Sequence, residues 1–278
     1  MIKNILLFGL GLFVLYNIVL FLFPIKKEIY FTNTQKAEQY VYSDKHYSLV
    51  CVGSSLSGPI SKENLQRNNF FNLSFPYYGS CFGVEIIYLS GKIPDTILIE
   101  ANHISRGFGK KFTDDLFNPF LYRPRFIFPF LQEKNKFFPF VIEKLKPSHA
   151  VPLNKEIVNP EFFAKLMDKA RVISKELPDT VLFNKDLQKL KERLDYFASK
   201  GCKIIFYEMP IEKELENYPA TVLERNMVKN YFTDKKFTHL PLDTINIYKT
   251  GDGNHLLAES FEVYNHFLHE QISKLSDK

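Results

Sequence analysis

Two short blocks of this sequence carry groups that could do chemistry together. The first is the run 47–57, Tyr-Ser-Leu-Val-Cys-Val-Gly-Ser-Ser-Leu-Ser, in which an apolar, β-prone stretch ends abruptly in Gly53-Ser54-Ser55. Such a run reads as a buried parallel strand delivering a hydroxyl to the carboxyl edge of a sheet, where the reactive groups of open α/β folds gather. A serine hydroxyl is a weak nucleophile until a base takes its proton, and the base needs an acid to orient it. The far end of the chain offers both in Asp252-Gly253-Asn254-His255. Aspartate and histidine three positions apart lie on one turn, close enough for the carboxylate to accept from the imidazole Nδ1–H. That bond fixes the tautomer and leaves Nε2 to take a serine proton. The implied chemistry is attack on an ester carbonyl with an acyl-enzyme as product.

The elements that must position these groups follow from the alternation along the chain. A second strand is expected at 70–75, a third at 96–100 just before Asn102, a fourth at 203–208 closed by Pro210, and a fifth at 238–242. Between them, helical spacing marks 84–89, which Gly91 ends, 161–176, and 185–200, which Gly201 ends. Helix is also expected at 62–66, at 212–231 with an interruption at Pro219, and at 258–275. Strands alternating with helices point to a parallel sheet sandwiched between helical layers.

These blocks together resemble the SGNH (GDSL-like) hydrolase superfamily from residue 47 to the C-terminus. In that family the nucleophile closes a Gly-Asp-Ser block, which falls here on Ser55, and the final Asp-x-x-His falls on Asp252 and His255. The second block places a glycine with an oxyanion-binding N–H at Gly79, within Asn72-Leu73-Ser74-Phe75-Pro76-Tyr77-Tyr78-Gly79. The third, Gly-x-Asn-Asp, matches Glu100-Ala101-Asn102-His103, so that Asn102 is the side-chain oxyanion donor beside the N–H groups of Ser55 and Gly79. Ser54 stands where the family has Asp, Glu100 where it has Gly, and His103 where it has Asp. The resemblance implies a flavodoxin-like three-layer sandwich with a parallel five-stranded sheet in the order 2-1-3-4-5, and no cofactor. Each group alone also has an ordinary reading: Ser55 as a helix cap, Asp252 and His255 as a surface pair, Asn102 as a turn residue and Gly79 as a positive-φ turn. His103, His149, His239, His266 and His269 have no comparable context.

The 278 residues allow one domain of about 200 to 250 residues and an appendage. A net charge of +5 with Lys scattered among acids argues against nucleic acid and weakly for an anionic surface. Cys51, Cys81 and Cys202 have no metal-ligand spacing, and Cys51 and Cys202 sit in or beside apolar runs as small buried residues. Between Lys3 and Lys26 the chain has no charge, and about 20 helical residues span about 30 Å, the thickness of a bilayer's hydrocarbon core. With no small-x-small site before Lys26, residues 1–27 read as a single-pass transmembrane anchor in preference to a cleaved signal. Residues 28–46 read as a tether and 47–278 as the catalytic domain. A Phe/Pro-rich insertion at about 104–160 has repeated prolines that exclude a long helix. It packs on its own domain, meets the bilayer or a membrane protein, or forms a lid.

The anchor resembles the layout of tethered SGNH proteins that act beside a membrane-bound O-acyltransferase, and the run 205–210 resembles their fourth strand. The expected activity is an esterase or O-acyltransferase acting on O-acyl, chiefly O-acetyl, groups of a cell-envelope glycan. The domain would then be extracytoplasmic, its partners a cell-surface glycan, the membrane and a membrane-bound O-acyltransferase. The competing class is an anchored glycan-binding or scaffold protein with a silent site.

Overall fold

A computed structural model of the chain describes residues 1–22, 32–136, 156 and 159–276. Part of the expected tether, the second half of the Phe/Pro segment and His149 lie outside these residues. The chain divides into two compact units, Met1–Asp44 with Lys110–Pro152, and Lys45–Gly109 with Leu153–Lys278.

The second unit is built on five parallel strands, β1 Leu49–Gly53, β2 Phe70–Ser74, β3 Thr96–Glu100, β4 Lys203–Tyr207 and β5 Phe237–His239, in the order β2-β1-β3-β4-β5. The architecture is α/β with a central parallel sheet, as the alternation of elements implies. All of β1 is buried, which explains its unbroken apolar run. The register pairs Gly53 with Ser74 and Glu100 with Tyr207, so the last residues of four strands form one row.

Alternate strand residues face opposite layers. Leu49, Cys51, Leu98 and Ile205 pack with Met167 and Ala170 of α6 (Pro160–Lys175) and with Phe261, Tyr264 and Leu268 of α9 (Ala258–Ser276). The other face carries α3 (Ser80–Ser90) and α7 (Thr180–Ser199). A Cβ on Gly83 would stand 2.7 Å from Val52 Cγ1, so α3 can cross β1 this closely only through a glycine. The helices begin where capping chemistry allows: Asn159 accepts from Phe162 N–H at 3.0 Å, and Asp179 from Val181 N–H at 2.9 Å. Each such cap stabilises by about 1 kcal/mol.

Three expectations need correction. Residues 62–66 form turns and no helix: Leu65 N–H bonds the Ser61 carbonyl, but Gln66 N–H bonds the Glu63 carbonyl and Gln66 adopts φ +50°, which ends the repeat. Pro219 starts a helix, α8 (Pro219–Tyr231), after a 3-10 segment Lys213–Asn217, since the first helical position needs no N–H. The fifth strand ends at His239 and not at 242.

In the first unit α1 (Ile2–Leu22) has 21 residues and contains an 18-residue stretch of mean hydropathy 2.6, long and apolar enough to cross a bilayer, a test that a signal sequence also passes. The expected tether contains α2 (Asn33–Val41), whose first turn is capped by Thr32. The Phe/Pro segment forms short helices, α4 (Lys110–Leu116) and α5 (Pro119–Ile127), then 3-10 turns Pro129–Leu131 and Glu133–Asn135.

Candidate active site

Ser55 follows β1 by two residues, and no helix follows it to be capped. Its Oγ lies 2.8 Å from His255 Nε2, and His255 Nδ1 lies 2.7 Å from Asp252 Oδ2. The other Asp252 oxygen accepts the N–H groups of Asn254 at 2.9 Å and His255 at 2.7 Å, which clamps carboxylate and imidazole in one turn. Gly253 makes that turn possible. Its φ is +91°, and a Cβ there would meet Met167 Sδ at 2.8 Å. The loop is fastened further by Glu212 N–H on the Gly253 carbonyl at 2.8 Å and by Thr250 Oγ1, which accepts from Gly253 N–H at 3.0 Å.

The electrostatics suit a base. The Asp252 carboxylate raises the His255 pKa above the ordinary imidazole value, against the opposing effect of burial. Burial alone would lift the Asp252 carboxyl, but His255 and two backbone N–H groups hold it below the usual carboxylate range.

Gly79 is the residue before α3, so its N–H sits at a helix N-terminus. Its φ is −107°, not positive, and glycine is required for another reason: a Cβ would stand 2.5 Å from the His103 carbonyl oxygen. The Asn102 amide is held both ways by the Met209 backbone, donating to its carbonyl at 3.0 Å and accepting its N–H at 2.7 Å. An amide carries two N–H groups, and this arrangement uses one of them. His103 has φ +54°, with its N–H on Glu224 at 3.0 Å. Burial, and then Arg106 and His255, push its imidazole pKa down to about 3, so it is neutral wherever His255 titrates. The other histidines within the described residues have ordinary roles. His239 bonds the Phe232 carbonyl at 2.9 Å and stacks on Phe206, and His266 pairs with Glu270 at 3.4 Å on the surface.

Glu100 is the residue whose role the sequence did not disclose. Its side chain is fully buried beneath the Ser55 loop. It accepts the N–H groups of Ser54 at 2.9 Å and Ser57 at 3.2 Å and the hydroxyl of Ser54 at 2.5 Å, together with the Ser57 hydroxyl. Ser57 Oγ continues to the Tyr207 hydroxyl, which meets Cys51 Sγ at 3.2 Å. Gly53 leaves the room, since a Cβ there would collide with the Glu100 carboxylate. Burial raises the Glu100 pKa, and the serine hydroxyls and N–H groups oppose that rise. The signal for this role was an acid closing an otherwise apolar strand, and its meaning depends on the β1/β3 register.

Beside Asn102 and Asn254 opens a cavity of about 230 Å³ whose walls include Arg106, Glu208, Glu224 and Arg225 as well as Ile173 and Ile211. Arg225 Nε donates to Glu208 at 2.8 Å, and Glu224 also takes the Ser105 hydroxyl. A cavity of about 270 Å³ opens at the opposite, amino end of the strands, lined by Ser48, Asp95 and Lys203, away from the serine.

No family model and no curated protein matches the chain. Among solved structures it is similar to a candidate acylhydrolase from Bacteroides fragilis, with 11% identity, 89% of this chain and 99% of that one covered, and a TM-score of 0.45. It is also similar to a candidate platelet activating factor from Streptococcus pneumoniae, with 13% identity, 84% and 90% covered, and a TM-score of 0.40.

Proposed function

We propose that this chain is a serine acyl-transfer enzyme of SGNH type, an esterase or O-acyltransferase acting on O-acyl groups of a cell-envelope glycan. The observation that carries the reading is the continuous line from Ser55 Oγ through His255 to Asp252, with links of 2.8 and 2.7 Å.

In the reaction, Ser55 Oγ attacks the ester carbonyl while its proton passes to His255 Nε2. The tetrahedral oxyanion is met by the N–H groups of Ser55 and Gly79 and the second N–H of Asn102, each worth roughly 3 kcal/mol of barrier. His255 then returns the proton to the departing alcohol, and the acyl group stays on Ser55. Water or a sugar hydroxyl gives its proton to the same imidazole and takes the acyl group away, and His255 passes that proton to the departing Ser55 Oγ, completing hydrolysis or transfer. Asp252 keeps the imidazole oriented and stabilises its charged form.

The cavity beside Asn102 supports a polyhydroxylated substrate, because Arg225, Glu208 and Glu224 offer both donors and acceptors to sugar hydroxyls while Ile173 and Ile211 offer apolar surface. In this reading α1 anchors the enzyme with its site outside the cytoplasm, beside a membrane-bound O-acyltransferase that supplies acyl groups. The buried acceptor network of Glu100 favours an active loop over a silent scaffold, since it holds Ser54 and Ser57 on either side of Ser55.

A fluorophosphonate probe tests the reading directly. The wild type is expected to label, Ser55→Ala to lose labelling entirely, and His255→Ala to label far more slowly. An unlabelled wild type would overturn the assignment. With p-nitrophenyl acetate as donor, acylated glycan formed at the expense of free acetate would mark a transferase.

A further inference from the structure

Helix α5 has no fully buried residue; one face makes ring contacts, although Phe126 on it is still 48% exposed, and the other face is bare. On the packed side Phe126 meets Tyr42 edge-on at 4.7 Å and Tyr122 at 5.4 Å, while Arg125 reaches toward the buried Glu38 at 3.6 Å. On the other side Phe120, Arg123 and Ile127 recur at helical spacing, with Phe120 87% and Ile127 70% exposed, and Phe128 follows at 40%. Apolar side chains this large, clustered on one short helix, are not an ordinary soluble surface.

This face continues onto α1. Past α5 the chain turns along α1, and the rings of Phe128 and Phe130 lie 5.9 and 5.5 Å from that of Phe13, with Phe130 also 5.5 Å from Tyr16. At 1.5 Å per residue Phe13 stands about 14 Å from the Leu22 end of α1, close to half the thickness of a hydrocarbon core. Irregular backbone at such depth is tolerated only where protein groups satisfy its polar atoms. Here they do: Asn17 Oδ1 accepts the Phe130 N–H at 3.2 Å, and the Tyr16 hydroxyl donates to the Asn135 carbonyl at 2.9 Å. The Asn17 amide also donates to the Phe13 carbonyl at 2.9 Å.

We infer that α5 and the Pro129–Leu131 turn are seated in the bilayer beside α1. Helix α5 packs beside the span, with Phe120, Ile127 and Phe128 among the acyl chains and the long Arg123 side chain reaching toward anionic headgroups. The occupant of the bare face is lipid. The inference rests on α1 crossing a bilayer.

The chain contains no tryptophan, so each single Trp variant carries one reporter. Full-length Leu12→Trp, Ile127→Trp and Ile247→Trp are reconstituted separately, with no other protein, in vesicles of phosphatidylcholine and phosphatidylglycerol containing lipids brominated along the acyl chain. The α1 probe is expected to be quenched strongly. The Ile127 probe should show blue-shifted emission and clear quenching by the brominated acyl chains, since the adjacent Phe128 packs on Phe13. The Ile247 probe, on a residue 91% exposed in the other unit, should keep its emission. Quenching at Leu12 without quenching at Ile127 overturns the seating and leaves the bare face for a protein partner. Absence of quenching at Leu12 overturns the anchor, and the seating with it.

Discussion

At the scale of single residues, the departures from the SGNH pattern at 54 and 100 compensate each other. The pattern puts a carboxylate on the first block and a glycine on the third, whereas this chain has Ser54 and Glu100, and the carboxylate arrives from the neighbouring strand. Glu100→Gly would leave two buried N–H groups and two hydroxyls without their acceptor, a loss of about 3 kcal/mol or more. Ser54→Asp would crowd two buried carboxylates. The double change Ser54→Asp/Glu100→Gly should therefore be more stable than the sum of the single changes allows, a coupling that a denaturant-based double-mutant cycle measures. This exchange was not legible in the sequence, because position 54 faces position 100 only through a strand register that a single chain does not state. The pair Asp252 and His255 was legible, since both groups lie on one turn. Its pH behaviour follows from geometry. His255 must be neutral to accept the Ser55 proton, so kcat/KM should rise with pH through a value above the ordinary 6.5, the direction that Asp252 imposes. Asp252→Asn should move that limb to lower pH and reduce kcat on the order of a thousandfold or more. The contribution to stability has the opposite sense. A raised histidine pKa stabilises the fold below 6.5, and that stabilisation is lost as pH climbs through the raised value.

At the scale of elements, the strands that carry the site were the readable ones. β1, β3 and β4 are buried on both faces and therefore spell continuous apolar runs, each ending where a site residue begins. β5 is three residues long with only Phe237 buried, so its pattern was too short to locate its end. The expected helix at 62–66 stops at irregular turns because Gln66 adopts φ +50°, a left-handed conformation that a helix cannot continue through. Element positions also explain Gly79. The start of α3 lies against the chain just after β3, and the His103 carbonyl fills the space of a Cβ. Gly79→Ala meets backbone and not a flexible side chain, so it should cost about 1–3 kcal/mol in denaturant unfolding. The displaced N–H should lower kcat for p-nitrophenyl acetate by about a hundredfold. A variant that loses stability while keeping kcat would remove Gly79 from the oxyanion site and leave it a packing residue.

At the scale of the molecule, the candidate site and the long apolar helix belong to different stretches of chain. Ser55, Asp252, His255, Gly79, Asn102 and Glu100 all fall within Lys45–Gly109 and Leu153–Lys278, and every hydrogen bond described for them closes within that unit. The other unit makes its own use of α1, whose Phe13 and Tyr16 pack on Phe130 and whose Asn17 holds the Phe130 backbone. Deleting residues 1–22 should consequently divide the two properties. Fluorophosphonate labelling at Ser55 is expected to survive in detergent, because no group of the triad or its clamp is lost. The Pro119–Asn135 stretch should become the preferred site of limited proteolysis, because Phe128 and Phe130 lose the rings they pack against and the Phe130 N–H and Asn135 carbonyl lose their partners on α1. Loss of labelling together with that proteolysis would mean that the anchor helix supports the catalytic unit as well as its own.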